Sequence, residues 1–160
     1  MLRSILIGLV AGQRAMTPLS LLAGAARRGD LSAETPGASL LAHPVVAAGT
    51  VALAAAEMAG DKLPSAPDRI VPIGLAARTA TSAFAGAALA PAGRRKSGAA
   101  LAVASALASS YVGWSLRMRA MRRFGQAPTG FVEDAIVLGG GALVTRLIAT
   151  PTRGAITPSG

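Results

Sequence analysis

Five long apolar stretches are the feature that most constrains how this chain can fold. They cover residues 4–26, 43–60, 70–92, 97–116 and 130–149, and the fourth contains no charged residue. A helix needs about 20 mostly apolar residues to cross the hydrocarbon core of a bilayer. The pattern therefore predicts an all-α polytopic membrane bundle of about five transmembrane helices, or of four if one stretch does not cross.

Composition supports a membrane protein and excludes several kinds of site. Of the 160 residues, 52% are hydrophobic and 14% are charged, whereas soluble domains carry about 25% charged residues. The chain has no cysteine and one histidine. A disulfide scaffold and a thiolate zinc site are thus excluded, and a Ser-His-Asp triad is disfavoured. We expect no metal, no cofactor and no enzymatic activity.

The formal net charge of +9 would suggest nucleic-acid binding in a soluble protein. Here the basic residues form short clusters between apolar stretches, as expected for loop cations at lipid headgroups. The clusters are Arg27–Arg28, Arg94–Lys96, and the group Arg117, Arg119, Arg122 and Arg123. The predicted partner is therefore the lipid bilayer and not nucleic acid. Arginine outnumbers lysine fourteen to two, which with the alanine excess favours a GC-rich bacterium and hence its cytoplasmic membrane.

We expect one transmembrane domain over residues 1–150 and a flexible tail over 151–160, which is rich in proline and glycine. The N-terminus resembles the start of a signal peptide. However, the first apolar stretch continues past Arg14 to Ala26 without a clear cleavage site. The first span is therefore predicted to be retained.

Five spans would place the two termini on opposite sides of the membrane. With side A defined as the side of Met1, the connectors carry seven basic residues on side A and six on side B. The positive-inside rule then favours side A as cytoplasmic only marginally. The near tie also fits a dual-topology protein, so an antiparallel homodimer is an alternative, as is one miscounted span.

Six charged residues within the predicted spans or at their ends form a candidate site, to which Arg146 near the end of the last stretch does not belong. They are Arg14, Glu57, Asp61, Arg78, Glu133 and Asp134. At about 1.5 Å per residue, all six are expected at a similar depth in the side A half of the membrane. One charge at a span centre costs about 2.5–3.5 kcal/mol, whereas each Val or Leu returns only about 0.3–0.6 kcal/mol. We therefore expect pairing, most simply of Glu57 with Arg14 or Arg78.

Two interpretations of this cluster remain open at the level of sequence. The first is a polar site for an ion, a proton or a small charged solute, as in a transporter or a channel-like protein. The second is a set of buried salt bridges that fix the register of the helices. A separate alternative for the whole protein is a non-enzymatic assembly or scaffolding subunit.

Small residues support tight helix packing. Gly8 and Gly12 form a Gly-x-x-x-Gly motif, and Gly139 and Gly140 offer a similar smooth face on the last stretch. Such faces allow close bundling within the chain or a homo-oligomer. They are the feature on which the scaffolding alternative depends.

Two short stretches resemble each other. Both contain Arg-x-x-Thr, at Arg14–Thr17 and Arg78–Thr81. Small transporters are often built from duplicated segments, so a weak internal repeat is one interpretation and chance similarity in an alanine-rich chain is the other. Pro18, directly after Thr17, is predicted to kink the first span.

Several motifs together resemble one family. They are Gly-x-Arg-x-Met-Thr-Pro at residues 12–18, Glu57-Met-Ala-Gly-Asp61-Lys62-Leu-Pro64 followed by Pro67-Asp68-Arg69, Ala77-Arg78, and Glu133-Asp134. The chain is similar, over about residues 4–149, to the domain of unknown function 4126 family of small bacterial integral membrane proteins. The stretch from Glu57 to Pro64 is the most distinctive part. The resemblance implies a polytopic membrane protein and brings no activity, substrate or catalytic residue.

Overall fold

A computed structural model describes residues 1–61 and 71–149, with only the backbone of Gln126. The regular secondary structure of these residues is entirely helical, which confirms the all-α class. The helices are α1 (Leu2–Gln13), α2 (Thr17–Arg27), α3 (Ala38–Ala42), α4 (Pro44–Gly60), α5 (Pro72–Ala88), α6 (Arg95–Phe124) and α7 (Gln126–Ala149), with a 3-10 turn over Ala92–Arg94. The predicted tail over 151–160 lies outside the described residues.

Only part of the helical content meets the length and hydropathy of a membrane span. Within the described residues, the segment Ala92–Phe124 is long and apolar enough by itself to cross a bilayer. Leu2–Gln13 and Pro44–Gly60 are apolar but shorter. The predicted bundle of five spans is therefore not confirmed.

The first apolar stretch is two helices, and this corrects the single helix predicted over residues 4–26. Helix α1 ends at Gln13, and Arg14 has extended backbone angles, φ −143° and ψ 116°. Pro18 stands in the first turn of α2. A proline ring clashes with the carbonyl four residues earlier, here that of Arg14, and offers it no N–H. The predicted kink is thus a complete break.

The break reverses the direction of the chain. Helix α1 runs parallel to α6, since the Ser4 hydroxyl contacts the start of α6 at Gly98, and Gln13 lies beside Ser109. Helix α2 runs back beside α7, where Leu21 packs on Gly141. Near the end of α2, Arg27 donates a hydrogen bond of 3.4 Å to the carbonyl of Ala42, just before α4. Residues 2–27 therefore form a helical hairpin.

This hairpin changes the predicted topology. Met1, Arg27, and the starts of α4 and α6 lie at one end of the bundle, here called the Met1 end. The α1–α2 break, Asp61 and the α6–α7 turn lie toward the other, the Asp61 end. Helix α7 runs toward the Met1 end, so the prediction that the termini lie on opposite sides is wrong for the chain as far as Ala149.

The charged residues lie in the half of the bundle remote from Met1 and not, as predicted, in the nearer half.

The interior and the surface have an unusual distribution of polarity. Arg14 is the largest fully buried side chain, and much of the remaining interior is alanine, serine and threonine. Large apolar side chains are instead exposed on α4, α6 and α7, including Val45, Val51, Leu53, Tyr111, Val112, Leu116, Phe131, Ile136 and Leu143. An extensive exposed apolar surface is a sign of contact with lipid or with another protein.

Glycines let α1 approach α6 closely. A Cβ at Gly8 would lie 2.3 Å from the carbonyl oxygen of Ala102, and one at Gly12 would lie 2.3 Å from that of Ala106. A Cβ at Gly140 would make only an ordinary contact, with Val10 at 3.6 Å. Gly139 does not take part in packing within the described chain, because it is exposed and a Cβ there would meet no atom of that chain within 4 Å.

The two Arg-x-x-Thr segments have different structures. Arg14 lies at a break between helices, whereas Arg78 and Thr81 lie within the continuous helix α5. The segments are therefore not equivalent elements of a structural repeat.

Candidate charged site at the helix break

Arg14 is the centre of the candidate site. Its side chain is 1% exposed, and it donates to two carboxylates from different parts of the chain. Nη1 donates to Oδ2 of Asp61 at 2.7 Å, while Nε and Nη2 donate to Oδ1 of Asp134 at 3.1 and 2.5 Å. A buried guanidinium requires such partners, because an unpaired buried charge is strongly destabilising.

Glu57 fills a different role from the one predicted. We expected it to face Arg14 or Arg78, but its two carboxylate oxygens accept hydrogen bonds from the backbone N–H groups of Ala15 and Met16, at 2.7 and 2.9 Å. These N–H groups directly precede α2. N–H groups at a helix start lack partners within the helix, and a negative charge there is favoured by the helix dipole. Glu57 on α4 thus caps the second half of the broken helix.

Arg78 is buried on α5, close to the same charges. Its guanidinium interacts favourably with the charge of Glu57 and of Asp61, and unfavourably with that of Arg14. Glu57 therefore interacts electrostatically with Arg78, one of its two predicted partners, while its carboxylate oxygens accept hydrogen bonds from the backbone.

Arg117 also belongs to the site, although the sequence pattern places it in a cluster at the lipid headgroups. Arg117 is 8% exposed to solvent. Nη1 donates to the Asp61 carboxylate and, at 3.1 Å, to Oε2 of Glu133, and Nη2 donates to the backbone carbonyl of Asp61 at 2.9 Å. Arg117 lies inside the bundle because α6 continues to Phe124, beyond the predicted limit at Leu116.

The sequence did contain a signal for this burial. Residues recur on the buried face of α6 at helical spacing, namely Gly98, Ala102, Ala106, Ser110 and Arg117. Residues three, four or seven positions apart share a helix face. Arg119, Arg122 and Arg123 lie off this face and are exposed, so the cluster divides into one interior arginine and three surface arginines.

The charges form a chain of alternating sign. From Asp134 on α7 it runs to Arg14, then to Asp61 at the end of α4, then to Arg117 on α6, and returns to α7 at Glu133. Asp61 is the shared member, since the same oxygen accepts from both arginines. The structure thus brings together all six predicted charged residues and adds Arg117.

The chain of charges ends at a cleft between α6 and α7. The cleft has a volume of about 850 Å³, and Arg117 and Glu133 form part of its wall. Most of the other lining residues are apolar, among them Leu9 and Val10 on α1, Val112, Leu116 and Phe124 on α6, and Val132 and Ile136 on α7. One end of the polar network therefore reaches an apolar space.

Within residues 1–61 and 71–149, no group of three or more His, Cys, Asp or Glu side chains is arranged to hold a metal ion. The carboxylates of the cluster contact guanidinium or backbone N–H groups instead. The arrangement can exchange ion-pair partners, because Asp61 and Arg117 each have two.

No family model, curated protein or solved structure matches the chain. The family suggested by the sequence motifs stays a prediction. Its most distinctive stretch continues into residues 62–64, which lie outside the described part of the chain. The charged site and the cleft are therefore the features of this chain that bear on its function.

Proposed function

We propose that this is a small multi-pass protein of the bacterial cytoplasmic membrane in which four helices, α4, α5, α6 and α7, cross the bilayer. At about 1.5 Å per residue, α4 and α5 are about 25 Å long and α7 about 36 Å, near the hydrocarbon thickness of about 30 Å. Helices α1 and α2 are about 16–18 Å long, so their hairpin enters from the Met1 end without crossing. Such interrupted helices occur in membranes where other protein groups hydrogen-bond to their free backbone groups. Here the Glu57 carboxylate accepts from the backbone N–H groups at the break.

This topology alters the charge balance between the two sides. Among the described residues, the Met1 end carries Arg3, Arg27, Arg28, Arg94, Arg95 and Lys96, and the opposite end carries Arg119, Arg122 and Arg123. The positive-inside rule favours a cytoplasmic Met1 end. The charged site then lies in the outer half of the membrane.

Within this membrane protein we propose a transporter-like or channel-like activity on a proton, an ion or a small charged solute. The observation that carries the proposal is the shared carboxylate of Asp61, which accepts from Arg14 at 2.7 Å and also from Arg117. When a proton or a cation binds one carboxylate of this chain of charges, the ion pair of that carboxylate weakens. Its guanidinium can then pair more strongly with its second carboxylate partner. Ionisable residues inside a membrane commonly mark ion or proton pathways.

Flux through purified protein in lipid vesicles tests this proposal. Proton, Na⁺, K⁺ and chloride movements are measured for the wild type, for Glu133→Gln, and for the control Glu34→Gln, an exposed acid at the Met1 end. We expect flux of one ion above that of empty vesicles, its loss in Glu133→Gln, and its retention in Glu34→Gln. Equal flux in wild type and Glu133→Gln would leave the network with only its structural role.

A second candidate function is a scaffolding subunit without enzymatic activity. One observation favours it: Gly139 lies on an outward face of α7 beside the exposed Ile136 and Leu143. A Cβ added at Gly139 would meet no atom of the described chain within 4 Å. Such a face can pack against a partner or a second copy, including an antiparallel one. The test is Gly139→Leu, which should weaken self-association in detergent and leave any ion flux unchanged.

A further inference from the structure

We propose that the cleft between α6 and α7 binds one anionic phospholipid, with an acyl chain along its apolar walls and the headgroup phosphate beside Arg123. This inference rests on the membrane location proposed above, but not on ion transport. Three features carry it: the dimensions of the cleft, the polarity of its walls, and the charge at its mouth.

The cleft is long. On α6 its wall extends from Ala108 to Phe124, which is about 24 Å at 1.5 Å per residue. An extended hydrocarbon chain can lie along this length.

The walls suit a hydrocarbon chain. Val112 and Leu116 line one side and Val132 and Ile136 the other, and all four are exposed. Nη1 of Arg117 and Oε2 of Glu133 are hydrogen-bonded to each other at 3.1 Å. They close the inner wall of the cleft and leave its length to apolar contact.

The mouth of the cleft carries positive charge. Phe124 lines the cleft where α6 turns into α7, and the guanidinium of Arg123 lies 5.7 Å from the centroid of its ring. Arg119 and Arg122 are exposed on the same last turns of α6. A phosphate at the membrane surface would meet these cations while its acyl chain follows the cleft inward, and basic residues at such positions recognise anionic headgroups.

Lipid retention in native mass spectrometry tests the proposal. The protein is extracted in mild detergent from vesicles of equal phosphatidylglycerol and phosphatidylcholine, after co-flotation shows that it is inserted. We expect one phosphatidylglycerol per chain. Ala120→Trp, which fills the cleft, should lower its retention at least tenfold, whereas the control Ala104→Trp, exposed on the same helix outside the cleft, should retain it.

The headgroup is tested separately. Arg123→Gln should lower retention of phosphatidylglycerol about fivefold, the effect of one arginine at an anionic surface, and leave phosphatidylcholine unchanged. Arg94→Gln, exposed at the Met1 end, is the control. Equal retention of the two lipids by the wild type would overturn the headgroup assignment.

Other outcomes identify other occupants. If Ala120→Trp retains lipid as the wild type does, or abolishes a dimer without loss of lipid, the cleft is not the lipid site. Val132→Trp, on the facing wall, gives the same test if the first variant elutes as an aggregate. A protein that does not co-float with vesicles contradicts the membrane location itself, and a protein that co-floats without retaining lipid contradicts only this inference.

Discussion

Arg14 donates two hydrogen bonds to a single oxygen of Asp134, a residue 120 positions later in the chain. This pair joins the break in the first helical hairpin to the last helix. It therefore closes the bundle between the two ends of the described chain, in addition to placing charge in its interior.

Removal of the Asp134 carboxylate should destabilise the fold severely. Asp134→Ala leaves Arg14 buried with one of its two carboxylate partners, and loss of one member of a buried pair costs about 3–5 kcal/mol. The matched control is Asp30→Ala, because Asp30 pairs with the half-exposed Arg28 at 2.8 Å, and such surface pairs contribute about 0–1 kcal/mol. Thermal unfolding in detergent measures both. Similar shifts in the two variants would show that the Arg14–Asp134 pair is not structurally important.

The cap that Glu57 provides should be measurable at two backbone positions. Glu57→Ala leaves the N–H groups of Ala15 and Met16 without their acceptor, and loss of a helix cap costs about 0.5–2 kcal/mol. Glu57→Gln keeps one acceptor oxygen and should lose about half as much. Hydrogen exchange at the N–H groups of Ala15 and Met16 should be faster in Glu57→Gln than in the wild type, and fastest in Glu57→Ala. Unchanged exchange in both variants would contradict the cap.

Glycines at the α1–α6 contact should differ sharply from glycines on the surface. A Cβ at Gly8 would lie 2.3 Å from a backbone carbonyl oxygen, which cannot move without shifting α6. Gly8→Ala should therefore cost about 1–3 kcal/mol, as overpacking does. Gly49 lies within α4 with no atom within 4 Å of its added Cβ, so Gly49→Ala should stabilise by about 0.5–1 kcal/mol. Melting temperatures that move in the same direction would contradict this packing.

The helix positions could largely be predicted, because apolar length and proline placement are local properties. The stretch predicted over 43–60 is helix Pro44–Gly60, and Pro72 begins the next helix close to the predicted start. The reversal at Arg14 could not be predicted in this way. Pro18 prevents a continuous helix, but whether the chain bends or turns back depends on how α2 packs against α4 and α7, which are distant in sequence.

The charged site was predicted residue by residue, but its pairing was not. A charge within an apolar stretch can be recognised from sequence, because burial there is costly without a partner. The choice of partner depends on helix rotation and direction. Glu57 thus caps a helix that the sequence showed only as part of a longer one, and Arg117 was hidden among arginines that remain at the surface.

Arg117 and its neighbour Arg119 provide the sharpest test of that division. Arg117→Gln removes the guanidinium hydrogen bonds to the carboxylates of Asp61 and Glu133, and we expect a loss of about 3–5 kcal/mol, as for removal of one member of a buried ion pair. Arg119→Gln changes an exposed residue on the same turn and should stay within about 0.5 kcal/mol of the wild type. Thermal unfolding of the two variants in the same detergent compares them directly. Equal stability would mean that all four arginines near the end of α6 lie at the surface, as the sequence alone had indicated, and that the chain of charges stops at Asp61.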